Sequence, residues 1–204
     1  MRLLPYGPDA VLVEVDSTQE ALELYEAARQ VEARDIVPGA RTVLFDGVDL
    51  EAVEEFVRRW STTDTRPSSR VGSEASKRVE TIPTVYDGPD LESTAALLGM
   101  TPAELVSRHT STTFTVAFCG FAPGFAYCTG LGLSVPRLES PRPRVDPGSV
   151  GLAGEFTGIY PSASPGGWRL IGRTDVALWD VERVAPALLS PGTSVRFVAA
   201  DAPG

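Results

Sequence analysis

Three segments in the second half of the chain hold the residues best suited to bind a small ligand. The first, residues 120–130, has the sequence GFAPGFAYCTG and places Phe121, Pro123, Phe125 and Tyr127 among glycines. Glycine permits backbone conformations and close approaches that a Cβ forbids, so aromatic rings beside it are able to line a pocket. The same pattern is typical of a turn between two strands with aromatic side chains in the core. The segment therefore predicts either a ligand pocket or a structural turn.

The second segment, residues 136–149, is rich in proline and arginine. It holds Arg137, Arg142 and Arg144 among four prolines and ends at Ser149. Proline fixes φ, so a loop of this composition loses less entropy when it becomes ordered. Arginine binds carboxylates and phosphates through paired hydrogen bonds. The segment predicts an anion site, unless its arginines are solvated or pair with neighbouring acids.

The third segment, residues 151–168, is GLAGEFTGIYPSASPGGW and is punctuated by glycines. Thr157, Tyr160 and Ser164 carry hydroxyl groups that are able to hydrogen-bond a ligand. The run SASPGG, residues 162–167, predicts either a nest of backbone N–H groups for an anion or plain β turns. It is not a P-loop, because no Gly-Lys-Ser/Thr follows it.

The chain has a single histidine, His109, and two cysteines, Cys119 and Cys128. Histidine is the side chain whose unperturbed pKa lies nearest to 7, so His109 is a candidate general base. The alternative is a structural residue near the end of a helix, where it complements the helix dipole. The cysteines are predicted to be buried, inert thiols. No metal site is predicted, because multi-histidine zinc sites and Cys₂His₂ fingers need more ligands than these.

The first part of the chain contributes little to these candidate sites. Its hydrophobic pattern is a regular alternation of strands and helices. Hydrophobic periodicity predicts the order β-α-β-α-β, with strands at 10–15, 41–45 and 78–86 and helices at 20–33 and 50–60. A polar, Ser- and Thr-rich run at 61–76 is typical of a linker. Residues 1–80 are therefore predicted to form a small α+β domain, a ferredoxin-like α/β sandwich.

The second part, residues 81–204, is predicted to be mostly β and to form a barrel. Two short helices come first, at 91–98 and from Pro102 to near His109, the second with a capping box of Thr101 and Glu104. Short β-prone runs between Gly/Pro turns then follow, at 114–118, 149–152, 158–160, 168–172, 177–179 and 194–198. This spacing is typical of a small barrel or sandwich with long functional loops.

Composition excludes several classes of protein. The 204 residues include 18 basic and 27 acidic side chains, a formal net charge of −9. An acidic surface repels phosphate backbones, which argues against nucleic acid as the main partner. The N-terminus lacks the apolar core of a signal peptide, and no apolar run is long enough for a membrane span. Two cysteines without a secretion signal favour the cytoplasm.

The three segments together resemble one known family. The matching motifs are VAFCGFAPGFAY at 116–127, PGSVGLAG at 147–154, and TGIYP and SPGGWRLIGRT between 157 and 174. Over essentially the whole chain the sequence is similar to the allophanate-hydrolase subunit 1, or carboxyltransferase-domain, family, which includes the B subunit of bacterial 5-oxoprolinase and the histidine-kinase inhibitor KipI. The resemblance implies an N-terminal α+β domain and a C-terminal cyclophilin-like β-barrel.

The resemblance also implies an activity and partners. A B subunit of this kind acts with the C and A subunits to open 5-oxo-L-proline to L-glutamate at the expense of ATP, and is inactive alone. Phosphorylation of the resonance-stabilised lactam by ATP, with Mg²⁺ bound by the complex, yields a better electrophile for hydrolysis. The resemblance places His109 beside the barrel cleft and, around that cleft, Arg137, Arg144, Gly148, Ser149, Thr157, Tyr160, Ser164, Gly166 and Gly167.

Two other functions fit the same resemblance. One is a regulatory protein that docks a sensor histidine kinase through its barrel and blocks phosphotransfer. The other is a component of a complex that acts on a different lactam, amide or urea-type compound, such as allophanate. Amidase activity of this chain alone is excluded, because a Ser-Lys nucleophile site needs a lysine in the site and the single lysine, Lys77, lies beside the linker.

Overall fold

The computed structural model describes residues 1–62 and 79–201. The chain divides into two compact units, Met1–Lys77 and Arg78–Gly204. This division lies three residues before the boundary predicted from the sequence. Most of the predicted linker, from residue 63 onward, lies outside the described residues.

The first unit is a four-stranded antiparallel sheet with two helices. Its strands are β1 (Arg2–Pro5), β2 (Ala10–Glu14), β3 (Asp35–Pro38) and β4 (Thr42–Asp46), and its helices are α1 (Thr18–Ala28) and α2 (Leu50–Thr62). The strands lie in the order β1-β2-β4-β3. Alternate residues of the two central strands are buried, and they form one apolar core with the helices. Ser17 caps α1, because its side chain accepts a hydrogen bond from the Glu20 N–H.

The predicted β-α-β-α-β order is wrong in two respects. The sequence analysis missed β1 and β3, which are four residues long and each end at a proline. The predicted third strand does exist, as β5 (Val79–Thr84), but it pairs parallel with a strand of the second unit. Alternating burial identifies a half-buried strand without identifying its sheet, which is why this assignment failed. The ferredoxin-like arrangement stays a prediction.

The second unit is built on a seven-stranded, nearly closed sheet. The strands β12-β9-β10-β7-β6-β13-β5 lie in that order. Their ranges, apart from β5, are β6 (Phe114–Cys119), β7 (Ala126–Thr129), β9 (Ser149–Ala153), β10 (Phe156–Ile159), β12 (Arg169–Arg173) and β13 (Ser194–Ala199). Val85, just after β5, exchanges two 2.9 Å backbone hydrogen bonds with Arg173 at the end of β12. These bonds connect the two edges of the sheet, so the predicted barrel-like second domain is confirmed at that level. Its cyclophilin-like arrangement stays a prediction.

Smaller elements complete this unit. They are the helices α3 (Leu91–Leu97) and α4 (Pro102–Ser111) and the paired strands β8 (Arg142–Val145) and β11 (Ser164–Gly166). The capping box of Thr101 and Glu104 is confirmed at the start of α4. Five of the six predicted strands overlap observed ones. The sixth, at 177–179, is wrong: these residues form no strand, and only Trp179 takes part in an isolated bridge. β7, β8 and β11 are three or four residues long and were missed.

Strand β10 separates two packed clusters, because successive side chains of a strand point to opposite faces. Ile159 belongs to the larger, central cluster, and Thr157 contacts His109 on that same side. Phe156 and the residue after the strand, Tyr160, belong to the second cluster, which is rich in aromatic rings. We call these the central cluster and the aromatic cluster. None of the helices in the described ranges has both the length and the apolar character needed to span a bilayer.

Candidate functional site

The aromatic cluster encloses a small pocket that unites six of the predicted site residues. Its cavity measures about 100 Å³. The lining consists of Phe121, Phe125, Tyr127, Arg137, Tyr160, Pro165, Gly166, Gly167 and Trp168. Phe125 is the buried centre of the cluster, with its ring centroid 5.0–5.4 Å from those of Phe121, Tyr127, Tyr160 and Trp168. The pocket is therefore lined by five aromatic side chains and one cationic side chain.

Phe121 is the conformational outlier of the site. Its φ is +72°, the only positive value of a non-glycine residue in the described ranges. Its side chain is 63% exposed, although it lines the pocket. A bulky residue in this region of φ costs of order 1–3 kcal/mol, and such strain clusters at ligand clamps and active sites. The backbone turn from residue 120 to 125 thus holds a large apolar ring at the mouth of the pocket.

Two glycines create the space that the aromatic rings occupy. A Cβ at Gly158, on the aromatic face of β10, would lie 2.9 Å from the Trp168 ring and 3.1 Å from the Phe125 ring. A Cβ at Gly166 would collide with the phenol of Tyr160. Both positions require glycine because a ring packs directly on the backbone. The glycines of the third segment therefore shape this pocket.

Arg137 supplies the positive charge of the pocket. It is exposed, and among the residues that the structure describes no carboxylate forms an ion pair with it. Burial raises the pKa of both Tyr127 and Tyr160, and the nearby Arg137 cation partly opposes that increase. Both phenols therefore stay protonated near neutral pH and are able to donate hydrogen bonds. A guanidinium group flanked by two phenols suits a carboxylate or phosphate.

The other two arginines of the proline-rich segment are already paired. Arg142 Nη2 lies 2.7 Å from Asp90 Oδ1, and the other oxygen of Asp90 accepts a 2.7 Å hydrogen bond from the Leu170 N–H. This half-buried pair joins β8 to β12 beneath the pocket. Arg144 pairs with Asp146 at 3.1 Å, and both side chains are more than two-thirds exposed. The predicted anion site is therefore limited to Arg137, and the alternative of pairing with neighbouring acids holds for the other two.

The structure also keeps Pro123, Ser149 and Ser164 out of the pocket lining. Pro123 is exposed on the turn beyond Phe121, and Ser149 begins β9. Ser164 lies in β11, and its buried Oγ has no hydrogen-bond partner in the described structure. The predicted nest of N–H groups at 162–167 is wrong, because residues 164–166 form an extended strand paired with β8. An extended strand points successive N–H groups in opposite directions, whereas a nest needs them to converge.

His109 lies on the other side of β10, in the central cluster. It is completely buried in the last turn of α4, with its ring 5.0 Å from that of Phe114 and 4.5 Å from that of Phe197. The Tyr86 hydroxyl lies 2.7 Å from Nδ1 and Thr157 Oγ1 lies 3.3 Å from Nε2. Burial lowers the pKa of His109 to about 3, so the ring is neutral.

The position of His109 corrects the expectations that it lies beside the cleft and that it complements the helix dipole. Thr157, its partner, faces the same interior and is also fully buried. A neutral ring carries no charge to place against the helix C-terminus. The geometry therefore favours a hydrogen-bonded core residue over a general base that meets substrate in the aromatic pocket.

The cysteines behave as the composition predicted. Cys128 is buried and Cys119 is half-buried, and both are free thiols. Burial raises the pKa of Cys119 to about 11 and that of Cys128 to about 12, so neither forms a thiolate near neutral pH. Within residues 1–62 and 79–201, no group of three or more His, Cys, Asp or Glu side chains is arranged to hold a metal ion.

Sequence reasoning missed two residues that build the site. Trp168 ends the third segment and lines the pocket, but nothing in its spacing marked it as a site residue. Asp90, 52 residues before its partner Arg142, gave no local signal except its position before a helix. Long-range pairs of this kind leave no spacing pattern in a single sequence.

Comparison with known proteins identifies the family. Residues 1–189 match the family model of the carboxyltransferase domain, subdomain C and D. The chain belongs to this carboxyltransferase-domain family. The resemblance predicted from the three segments is therefore confirmed.

Members of the family with curated names are similar to the chain over most of its length. It is 39% identical over 188 residues to the 5-oxoprolinase B subunit of Escherichia coli O157:H7, covering 87% of this chain and 82% of that one. It is 35% identical to the 5-oxoprolinase B subunit of Haemophilus influenzae, covering 97% of both. A third relative of the same name, from Bacillus subtilis strain 168, is 43% identical over 61% of this chain and 54% of its own length.

Several solved structures share the fold. TTHA0988 matches with a TM-score of 0.75 and 32% identity over 96% of this chain. The chain spans only 40% of TTHA0988. PH0987 of Pyrococcus horikoshii matches with a TM-score of 0.59 and 32% identity over 98% of both chains. The urea amidolyase of K. lactis, at 19% identity and a TM-score of 0.67, shares the fold alone.

Proposed function

We propose that this chain is the B subunit of an ATP-dependent 5-oxoprolinase, which cleaves 5-oxo-L-proline to L-glutamate with hydrolysis of ATP. The observation that carries the proposal is the 35–43% identity to three relatives that bear this name, two of them over more than four-fifths of both chains. Neither kinase inhibition nor allophanate hydrolysis has comparable support from those names.

The aromatic pocket is the proposed site for the substrate. 5-Oxoproline is a flat five-membered lactam that carries one carboxylate. Arg137 is the pocket's cation without an acidic partner in the described structure, and it suits that carboxylate. The rings of Phe121 and Phe125 offer apolar faces to the lactam ring. The phenols of Tyr127 and Tyr160 are protonated donors within reach of the same cation.

ATP is the proposed co-substrate, with Mg²⁺, but the pocket of this chain does not hold it alone. Pockets for drug-sized ligands measure about 300–1,000 Å³, and this cavity measures about 100 Å³. A triphosphate also needs several cationic or N–H donors, whereas the pocket provides Arg137. We therefore place the nucleotide in the complex with the proposed C and A subunits, with the cleft completed by a cyclophilin-like barrel of the C subunit. On this account the chain is inactive by itself.

The test is ATP turnover by this chain co-purified with the C and A subunits. We expect hydrolysis of ATP to be stimulated by 5-oxo-L-proline, with one glutamate released for each ATP consumed. Omission of this chain is the matched control and is expected to abolish the stimulation. A complex that assembles but responds to another amide, and not to 5-oxoproline, would reassign the substrate.

A further inference from the structure

A loop of the second unit displays apolar side chains to solvent. It follows residue 176 and ends at residue 187. Trp179 is 43% exposed, Val181 is 72% exposed and Val184 is fully exposed. Single exposed apolar residues are ordinary on protein surfaces, but three on one short loop form a patch.

The loop is held in place by its own polar groups. Asp180 Oδ1 accepts a 3.0 Å hydrogen bond from the Glu182 N–H, and Asp180 Oδ2 lies 3.5 Å from the Arg183 guanidinium. Arg183 also donates to the Ala177 carbonyl at 3.1 Å, and Trp179 bridges Ala187. The polar side chains therefore form hydrogen bonds and an ion pair within the loop, while Val181 and Val184 are exposed to solvent. Surface loops usually show the reverse arrangement.

The base of this loop packs against the turn that carries two of the pocket residues, Phe121 and Phe125. Gly124 is buried with a φ of +84°, and a Cβ there would lie 2.9 Å from the Trp179 Cβ and 3.2 Å from the Leu178 carbonyl oxygen. The turn that carries Gly124 also carries the strained, exposed Phe121. The two loops thus touch at Gly124 and together present Phe121, Trp179, Val181 and Val184, which we call the apolar rim.

We infer that the apolar rim is the surface on which the C subunit of the proposed complex docks, so that this partner covers the pocket. The inference rests on the proposed function for the partner's identity. Three observations favour a protein partner as the occupant of the rim. The rim borders a pocket that is too small to hold both substrates. The relatives are named as subunits. In TTHA0988 the matched fold is part of a chain about two and a half times as long, so that there further protein is joined to it.

The rim also specifies the chemistry of the partner surface. Central apolar anchors surrounded by charged residues are typical of stable interfaces. The flanking carboxylates are Asp175, Asp180 and Glu182, and the cation of Arg183 is engaged with Asp180 and Ala177. We therefore expect the partner to present an apolar hollow with arginines or lysines at its edge, and association to slow as ionic strength increases.

The test is the dissociation constant between the purified full-length chain and the C subunit, measured by calorimetry or interferometry. The variant carries both Val181→Asp and Val184→Asp, which place charges at exposed positions, so we expect an unchanged melting temperature. The matched control carries Leu97→Asp and Val37→Asp, two exposed apolar residues on α3 and β3. We expect the dissociation constant to increase at least about 30-fold in the rim variant and less than threefold in the control.

Backbone hydrogen exchange gives a second readout that needs no variant. Residues 178–187 and 120–125 are expected to become protected when the C subunit binds. Binding of the rim variant within threefold of the wild-type value, or no binding of the wild-type chain to the C subunit, would overturn the inference. So would a homodimer of this chain that the rim variant abolishes, because the rim would then be a self-interface. If the complex forms through the rim but 5-oxoproline does not stimulate ATP turnover, the proposed function fails and the docking inference stands.

Discussion

The two faces of β10 carry similar side chains in opposite environments. On the central face, His109 and Thr157 are fully buried and form a hydrogen-bonded set with the partly buried Tyr86, packed against the rings of Phe114 and Phe197. On the aromatic face, Tyr160 and Arg137 border a cavity that opens beside the exposed Phe121. One face contains the chain's single histidine and is closed. The other face borders the open cavity, and the lining of that cavity contains no histidine or carboxylate side chain.

The environment of a residue therefore decides its role more than its chemical type does. A histidine whose pKa is lowered to about 3 is not a cation at neutral pH, and His109 lies on the face of β10 opposite the pocket. An arginine keeps its charge in proteins, so an arginine beside a cavity and without an acidic partner in the described structure is suited to bind an anion. We therefore assign ligand recognition to the aromatic face and structural support to the central face.

The largest expected effect is the loss of substrate recognition in Arg137→Ala. Removing a charged partner of a carboxylate should lower kcat/KM for 5-oxoproline about 10²-fold in the complex, with the melting temperature unchanged because Arg137 is exposed. Steady-state kinetics of the purified complex measure it. The matched control is Arg144→Ala, which removes an exposed arginine of the same segment that is paired with Asp146. We expect a change below threefold there, and equal losses in both variants would erase the distinction between them.

The second effect is an acid sensitivity that originates on the central face. Because the folded pKa of His109 is about 3 and its unfolded value is about 6.5, the unfolded state binds more protons between these values. Stability should therefore fall as the pH drops below about 6.5, by about 1.4 kcal/mol for each pH unit. Denaturant unfolding of the wild type and His109→Gln, compared from pH 7 to pH 4.5, measures the difference.

The glutamine variant keeps a polar side chain for Tyr86 and Thr157 and cannot titrate. Its stability should depend less steeply on pH than that of the wild type, while kcat/KM at neutral pH stays within threefold. A fall in turnover of 10²-fold with a normal melting temperature would return His109 to the chemistry and contradict the assignment of the two faces.

A smaller effect is expected at Gly166, where the Tyr160 ring of the aromatic face packs directly on the glycine. Gly166→Ala places a Cβ against the Tyr160 phenol, and overpacking of this kind costs about 1–3 kcal/mol. We expect a melting temperature lower by several degrees and a weaker affinity for 5-oxoproline, measured by thermal unfolding with and without ligand. Gly154→Ala is the control, since a Cβ there meets no atom within 4 Å. Its positive φ of 56° adds only backbone strain, so affinity should be unaffected.

The smallest effect concerns the thiols of β6 and β7. With pKa values raised by burial to about 11 and 12, Cys119 and Cys128 should react with iodoacetamide far more slowly than a free thiol does at pH 7.5. Mass spectrometry of the folded complex checks this, with the denatured chain as control. Rapid labelling of Cys119 would indicate that the end of β6, where Cys119 packs against the central cluster, is more open than the structure shows.

Structural features that depend on neighbouring residues were predicted well from the sequence. The capping box at Thr101 and Glu104 and the strands at β6, β9 and β13 follow from neighbouring residues, and they were found. The pocket residues Phe121, Arg137 and Tyr160 were singled out because unusual glycine and arginine spacing is also local. Their convergence was implied by the family resemblance, and spacing alone did not predict it.

The predictions that failed concern residues whose environment depends on contacts with distant parts of the sequence. The burial of His109 depends on Phe197, 88 residues later, and the pairing of Arg142 depends on Asp90 in another element. The residues at 177–179 are apolar in the manner of a strand, yet Trp179 is exposed on a loop. A single sequence does not show which distant side chains contact each other, so it cannot distinguish a core histidine from a catalytic one.

The central claim is that Arg137, on the aromatic face, recognises the carboxylate of the substrate. The most direct test compares binding of 5-oxo-L-proline and of 2-pyrrolidinone, the same lactam without its carboxylate, to the wild-type and Arg137→Ala complexes. The account predicts that the wild type prefers 5-oxoproline by about 10²-fold and that the variant binds the two lactams within threefold of each other. An undiminished preference in the variant would show that the carboxylate lies elsewhere and would contradict the account.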